Sequence, residues 1–296
     1  MNQAGCKATP SVQGLSRFGL TTQHIERLVR FFVLAFDCHE VARERCSGCA
    51  FEQLMDVRGG AASVTLRLGD TSIEILEFDH PGNPYVPNLS PFDNEFQHLA
   101  LVVDDMDAAY SRLSSVAGWS AISSNGPQRL PASSGGVRAF KFRDPDGHPL
   151  ELLSFPQDQG PDHWRNQPSA GLFLGIDHSA ISCAKAAQSI DFYRNIGLEV
   201  SARSFNHGIE QQCLDGIPMP QLDVIALSPA ARTPHVELLC YRNRDGGRTL
   251  PIRSNDISAT RLIFDRVAAP LADPTDALIF DPDGHHVLIR ATAAWP

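Results

Sequence analysis

The sequence predicts an α+β fold built from four units, each a strand, a helix and about three further strands. Three observations lead there. Asp-Pro-Asp-Gly-His is written twice, in "FRDPDGHPLELLSF" from Phe142 and in "FDPDGHHVLIRA" from Phe280. Four segments repeat one order of pattern, a strand followed by an amphipathic helix. Strands rich in Val, Ile, Leu and Phe then follow, separated by Gly, Asp and Pro turns.

Taken in order, "LSRFGLTTQHIERLVRFFVLAFD" opens unit one and "SVTLRLGDTSIEILEF" continues it. "FQHLALVVDDMDAAYSRL" opens unit two, with Met106 and Tyr110 on its packed helix, and "VRAFKFRDPDGHPLELLSF" closes it. Unit three runs from "GIDHSAISCAKAAQSIDFYRNIGLEV" to "LDVIALSPAARTPHVELLCY". Unit four is shortened: "ATRLIFDRVAAPLAD", then "ALIFDPDGHHVLIRA". The Asp-Pro-Asp-Gly copies are the last hairpin turns of units two and four, because proline presets φ and glycine takes the permissive position. His148, His285 and His286 follow these turns and are expected at the surface. The polar stretch "PQDQGPDHWRNQPSAG" reads as a linker. The chain therefore divides into an N-terminal module at 12–156, a linker at 157–171 and a C-terminal module at 172–296.

Composition narrows the function classes. The chain has 296 residues, 43% hydrophobic and 20% charged, which is the balance of a folded protein rather than a disordered one. A net charge of -9 argues against nucleic acid or an anionic membrane surface as partner. No apolar run approaches the ~18 residues of a membrane span. "MNQAGCKATPSVQG" lacks the basic and apolar regions of a signal peptide. The expectation is a cytoplasmic enzyme or binding protein with a small-molecule partner, as a monomer or homodimer. The seven cysteines are scattered and odd in number, so no disulfide framework is implied. Cys46 and Cys49 form a lone CxxC, read as ordinary loop and core cysteines.

Strand parity picks out acidic and imidazole side chains on apolar faces. His98 shares a face with Phe96, Ala100 and Val102. Glu151 lies with Pro149, Leu153 and Phe155, and Glu237 with His235, Leu239 and Tyr241. A carboxylate among such neighbours needs a partner, either a metal or an arginine.

The βαβββ unit with a histidine in its first strand, the helix end "DFYRNIGLEV" and the closing "DPDGHPLELL" resembles the vicinal oxygen chelate superfamily. That group includes glyoxalase I, methylmalonyl-CoA epimerase, extradiol dioxygenases and bleomycin-resistance proteins. The resemblance implies that paired units curl into two cups, with a His or Gln ligand from a unit's first strand and a Glu from its last. Carried over, unit two offers His98 and Glu151, and unit three offers His178 and Glu237. Unit one has Arg17 and Glu74 at those places, and unit four has Ala259 (or Thr260) and Leu288. Intact and lost positions segregate if units two and three share a cup and units one and four share the other.

The resemblance thus implies one divalent ion, Zn, Ni, Fe or Mn, held by His98, Glu151, His178 and Glu237. Glu151 and Glu237 are the candidate catalytic residues. The other cup is expected to be metal-free, with Arg17 paired to Glu74 and Leu288 closing it. Candidate substrate contacts are His207, Glu210 and Gln211, on a polar loop before the next strand. Arg138, with Arg129, lies on a rim that suits an anionic group. The implied activity is that of a metal-dependent lyase or isomerase of glyoxalase type, acting on a small oxygenated compound through metal-stabilised enolate chemistry. The rivals are an extradiol-type ring-cleaving dioxygenase and a non-catalytic small-molecule binding or resistance protein.

Overall fold

The computed structural model describes residues 12–156, 160–165, 171–242, 251–267 and 275–292. Unit one comprises β1 (Gly14–Thr22), α1 (Ile25–Phe36), β2 (His39–Cys46), α2 (Cys49–Met55), β3 (Ala61–Leu68) and β4 (Thr71–Phe78). Unit two follows with β5 (Gln97–Val103), α3 (Met106–Ser114), the short β6 (Ser120–Ala121) and β7 (Gln128–Arg129), β8 (Arg138–Arg143) and β9 (Pro149–Ser154). A single helical turn, α4 (Asp162–Arg165), lies in the stretch read as linker. Unit three is β10 (Phe173–Ser182), α5 (Ala186–Asn195), β11 (Glu199–His207), α6 (Gly208–Asp215), β12 (Gln221–Ser228) and β13 (His235–Tyr241). Unit four shows β14 (Arg261–Val267), β15 (Ala277–Phe280) and β16 (His286–Thr292).

The strands form two open, curled sheets. One has the order β15-β16-β14-β1-β4-β3-β2, which joins units one and four. The other has the order β11-β12-β13-β10-β5-β9-β8-β6, with β7 on β8, and joins units two and three. In each, the first strands of two units pair antiparallel at the centre, β1 with β14 and β10 with β5. The last strand of each unit then lies parallel to its first. Each half of the chain thus sends one unit to each sheet.

One large apolar core joins both sheets with α1, α3 and α5, and alternation in the strands decides which side chains enter it. Leu99, Leu101 and Val103 point into it, as do Leu150 and Leu152, while Ala100, Val102 and Leu153 face the concave side. Helix α1 buries Leu28, Val29, Phe32, Ala35 and Phe36 at helical spacing against the core, and Asp37 in the left-handed conformation ends it. Asp105 caps α3 by accepting from the backbone N–H groups of Asp107 and Ala108. Met106 is buried on that helix, and Tyr110 packs edge-on against Phe140 at 4.8 Å between ring centroids.

The repeated turn has a structural reason. Asp144 Oδ1 accepts from the N–H groups of Asp146 and His148, and Asp281 Oδ1 accepts from those of Asp283 and His285. The following histidine then reaches the neighbouring unit. His148 Nε2 meets the Thr21 carbonyl at 3.0 Å, and His285 Nε2 meets the Ser182 carbonyl at 3.0 Å. His148, His285 and His286 are therefore buried, not at the surface as expected. The glycine turn brings the chain back across an adjacent strand instead of out into solvent. Both ring nitrogens of His148 face acceptors, Asp144 at 2.7 Å and Thr21. Burial pulls its pKa down, but Asp144 outweighs it and the ring is held protonated above the usual range.

The sheet of units one and four corrects two expectations. Its register places Ile263 beside Leu288, as Ala100 lies beside Glu151 and Ala180 beside Glu237. The residue at the histidine place of unit four is therefore Arg261, not Ala259 or Thr260. The shortened unit shifts the alignment by one or two residues. Arg261 is fully buried and donates to Thr21 Oγ1 and the Ser254 carbonyl. Burial pushes its pKa down to about 10, against the pull of Glu74.

The expected Arg17–Glu74 pair is also absent among the described residues. Glu74 faces Arg290 at 3.8 Å, while Arg17 sits half-buried opposite Ile263. This concave face is filled by α2, whose Phe51, Leu54 and Met55 pack on Phe78, Ile263 and Leu288. Leu288 closes it as expected. Cys46 and Cys49 flank the start of α2 as free thiols.

Candidate metal centre

Strand register decides which side chains meet on the other concave face. His178 lies across from Ala100 and Ala180 across from His98, so the two histidines are diagonal neighbours with ring centroids 5.7 Å apart. The parallel neighbours Glu151 and Glu237 sit beside Ala100 and Ala180, which places each carboxylate next to the histidine two residues earlier. His98 Nε2 is 3.0 Å from Glu151 Oε2. His178 Nε2 is 3.7 Å from the same oxygen and 3.5 Å from Glu237 Oε2. Ligand atoms of His98, Glu151 and His178 fall within 4.8 Å of one another. All four predicted residues line one cavity of ≈ 430 Å³, with apolar walls that include Leu130, Val137, Leu153, Leu222 and Val224.

These residues fit a divalent ion. Two carboxylates turned toward one imidazole nitrogen favour a cation there, either the ring's own proton or a metal ion in its place. Imidazole nitrogen with carboxylate oxygen is a donor set for Zn, Ni, Fe or Mn. His178 also has the support that metal-ligating histidines show, because its Nδ1 donates to Asp177 Oδ2 at 2.9 Å. Asp177 in turn accepts from Trp164 Nε1 at 2.6 Å, so a residue of α4 fixes the site from behind. A β-bulge between Ile176 and His178 makes this possible, since it brings Asp177 to the concave side beside His178.

Sequence reasoning missed Asp177, His235 and Lys141. Simple alternation assigns Asp177 to the opposite face, and a bulge carries no clear sequence mark. Lys141 had a readable signal. The hairpin set by the Asp-Pro-Asp-Gly turn pairs it directly with Glu151. It is buried, and its Nζ donates to Asp215 Oδ1 at 2.7 Å. Asp215 Oδ2 also accepts from Gln211 Nε2 and the Tyr241 hydroxyl. Burial pulls the Lys141 pKa down, but Asp215, Glu151 and Glu237 outweigh it and the ammonium is retained.

The weaker expectations divide. The polar stretch read as a loop is strand β11 running into α6. Of its three candidates only Gln211 lines the cavity. Glu210 does not, and His207 is exposed beside Phe205 on the outer surface. Glu210 is on α6 one residue before Gln211 and so points to a different side of the helix, while His207 ends β11. Arg138 donates to both Asp107 oxygens outside the cavity, and Arg129 is exposed.

Charge on the metal-free site is strongly coupled. Burial disfavours the His178 cation, but Glu237, Asp177 and Glu151 together raise its pKa to about 9. Burial raises Glu237, but His178 and His235 outweigh it and hold the carboxyl at about 2. His98, where burial dominates, is lowered and remains neutral.

The pH dependence follows. A raised histidine contributes stability below its ordinary 6.5 and loses it as pH rises through about 9. A depressed glutamate contributes above its ordinary 4.5 and loses it as pH falls through about 2. Metal-free protein should therefore lose stability from this site on raising pH from 6.5 to 9. Metal-loaded protein should stay nearly level over the same range, because the ion displaces the His178 proton in the folded state and the unfolded histidine holds almost none above 6.5. Urea midpoints of both forms across that range test the falling and the level slope.

This is the paired-βαβββ architecture of the vicinal oxygen chelate superfamily, with one of its two cups retaining a full set of acidic and imidazole side chains. Residues 14–152 match the Glyoxalase/Bleomycin resistance protein/Dioxygenase superfamily. Glyoxalase I from Zea mays is similar in fold at 14% identity, with a TM-score of 0.60 over 94% of this chain and 92% of that one. A Bacillus subtilis subsp. subtilis str. 168 protein, whose assignment as a dioxygenase is itself provisional, is 14% identical. Its TM-score is 0.56 over 95% of this chain and 86% of that one. No curated protein matches by sequence. Members of the superfamily generally bind a divalent metal and small-molecule substrates. Among the described residues no helix is long and apolar enough to cross a membrane.

Proposed function

We propose that the chain is a metal-dependent lyase or isomerase of glyoxalase type, acting on a small oxygenated compound. The observation that carries this is the convergence of His98, Glu151, His178 and Glu237 in one apolar cavity while the other cup is filled by its own helix. An ion held there supplies Lewis acidity toward a substrate oxygen. The chain's own groups do the rest. Glu237 is less buried than Glu151 and faces the cavity, so it is placed to move a proton on the carbon next to that oxygen. Glu151 is kept ionised, since His98, Lys141 and His178 outweigh the effect of its burial. The apolar walls keep water from the reacting carbon.

A ring-cleaving dioxygenase is the second reading. It is favoured by the closeness of His98, His178 and Glu151, a two-histidine, one-carboxylate set that suits non-haem iron. Elemental analysis of purified protein, followed by assay of hemithioacetals and of catechols with an oxygen electrode, separates the two. Iron with oxygen uptake on a catechol overturns the first reading. In the first reading, Glu237→Gln should lower kcat by a factor on the order of 100 or more with little change in KM, the signature of losing a proton-transfer group. A raised KM at unchanged kcat would instead mark Glu237 as a binding residue.

A further inference from the structure

We infer that His235 is a fifth ligand, so that the centre takes three imidazoles and two carboxylates; this rests on the metal reading above. His235 lies two residues before Glu237 on β13 and directly beside His178 across the β10–β13 pair. Both rings turn the same nitrogens toward the same two carboxylates, although their planes are tilted 47° apart. His178 turns Nδ1 to Asp177 Oδ2 at 2.9 Å and Nε2 to Glu237 Oε2 at 3.5 Å. His235 turns Nδ1 to the same Asp177 oxygen at 3.7 Å and Nε2 to the other Glu237 oxygen, Oε1, at 3.5 Å. One carboxylate thus backs both rings and the other stands in front of both. A histidine with Nδ1 turned to a carboxylate presents Nε2 for coordination. The ring centroids are 5.3 Å apart, and both histidines line the cavity.

The cup is asymmetric at this point. The position in unit two that corresponds to His235 is Pro149, two residues before Glu151, which offers no donor. A fifth ligand therefore comes from unit three alone. A separate ion among Asp177, His178 and His235 fits worse, although ligand atoms of these three also lie within 4.8 Å. Asp177 already receives Trp164 Nε1 on Oδ1 and His178 Nδ1 on Oδ2. Such an ion, bound through Asp177 Oδ2, would have to displace the His178 bond on that oxygen, whereas the fifth-ligand arrangement keeps it.

The test is zinc X-ray absorption on the full chain reloaded with Zn(II), which counts imidazoles by outer-shell scattering, together with Zn(II) affinity from chelator competition. Wild type should show one ion with three imidazoles. His235→Ala should show two and bind about 10–100-fold more weakly, and His235→Gln, which restores an oxygen donor, should recover part of the loss. Thermal melts of the metal-free variants establish that they fold. Two imidazoles in wild type, unchanged affinity in folded His235→Ala, or two ions per chain overturns the inference while leaving the four-ligand centre standing. A wild-type chain that takes up no ion overturns the metal reading itself.

Discussion

Replacing His178 with alanine should strip the working cup of its ion, weakening divalent-metal binding by more than about 100-fold, beyond the usual cost of losing a supporting group around a metal. His178 is the hub of the cluster, because its Nε2 faces both Glu151 and Glu237. Its loss leaves the two carboxylates without the imidazole between them and leaves Asp177 without its closest imidazole partner. Elemental analysis of His178→Ala beside Arg17→Ala makes the comparison. Arg17 lies in the other sheet and should keep the wild-type metal content. Wild-type metal content in His178→Ala would place the ion elsewhere.

The second large effect belongs to Lys141. Lys141→Met should destabilise the protein by about 3–5 kcal/mol, the cost of leaving one partner of a buried ion pair uncompensated. Asp215 is fully enclosed, and its two neutral donors, Gln211 and Tyr241, cannot replace a cation. Adding Asp215→Asn removes the stranded charge and should recover much of the loss, because an amide oxygen still accepts from Tyr241. Urea denaturation of the two single variants and the double variant gives the coupling. Additive losses would mean that Lys141 and Asp215 do not act as a pair. The pair also fastens α6 over the cavity, so the single variant should loosen the wall that carries Gln211.

Much of the fold was legible because its signals are local and repeated. The Asp-Pro-Asp-Gly turns, the strand-helix order and the unequal survival of His and Glu at equivalent positions led to the sheet pairing. Parity put His98, Glu151 and Glu237 on apolar faces, while His178 and the grouping of the four into one ligand set came from the family resemblance. What escaped depended on local irregularity or on distant partners. Asp177 enters the cup through a bulge that breaks alternation. The counter-ion of Lys141 lies 74 residues away, on a helix from another unit. Arg261 was hidden by the shortened fourth unit, whose alignment with the other three was off by one or two residues. His148 and His285 looked like turn residues, and their acceptors are carbonyls in other units.

The crossing of units between sheets has a consequence for how the chain can be divided. Both central seams, β1 with β14 and β5 with β10, join the first half of the chain to the second. The Asp-Pro-Asp-Gly-His turns, by contrast, clasp units within a half. A chain severed between units two and three would give two fragments, each clasped internally yet with two inner strands stripped of their hydrogen-bonding neighbours. Such bare edges recruit strands. Mixed together, the fragments should reassemble the working cup. Kept apart, each should seek a second copy of itself or aggregate, so that neither half behaves as an independent domain.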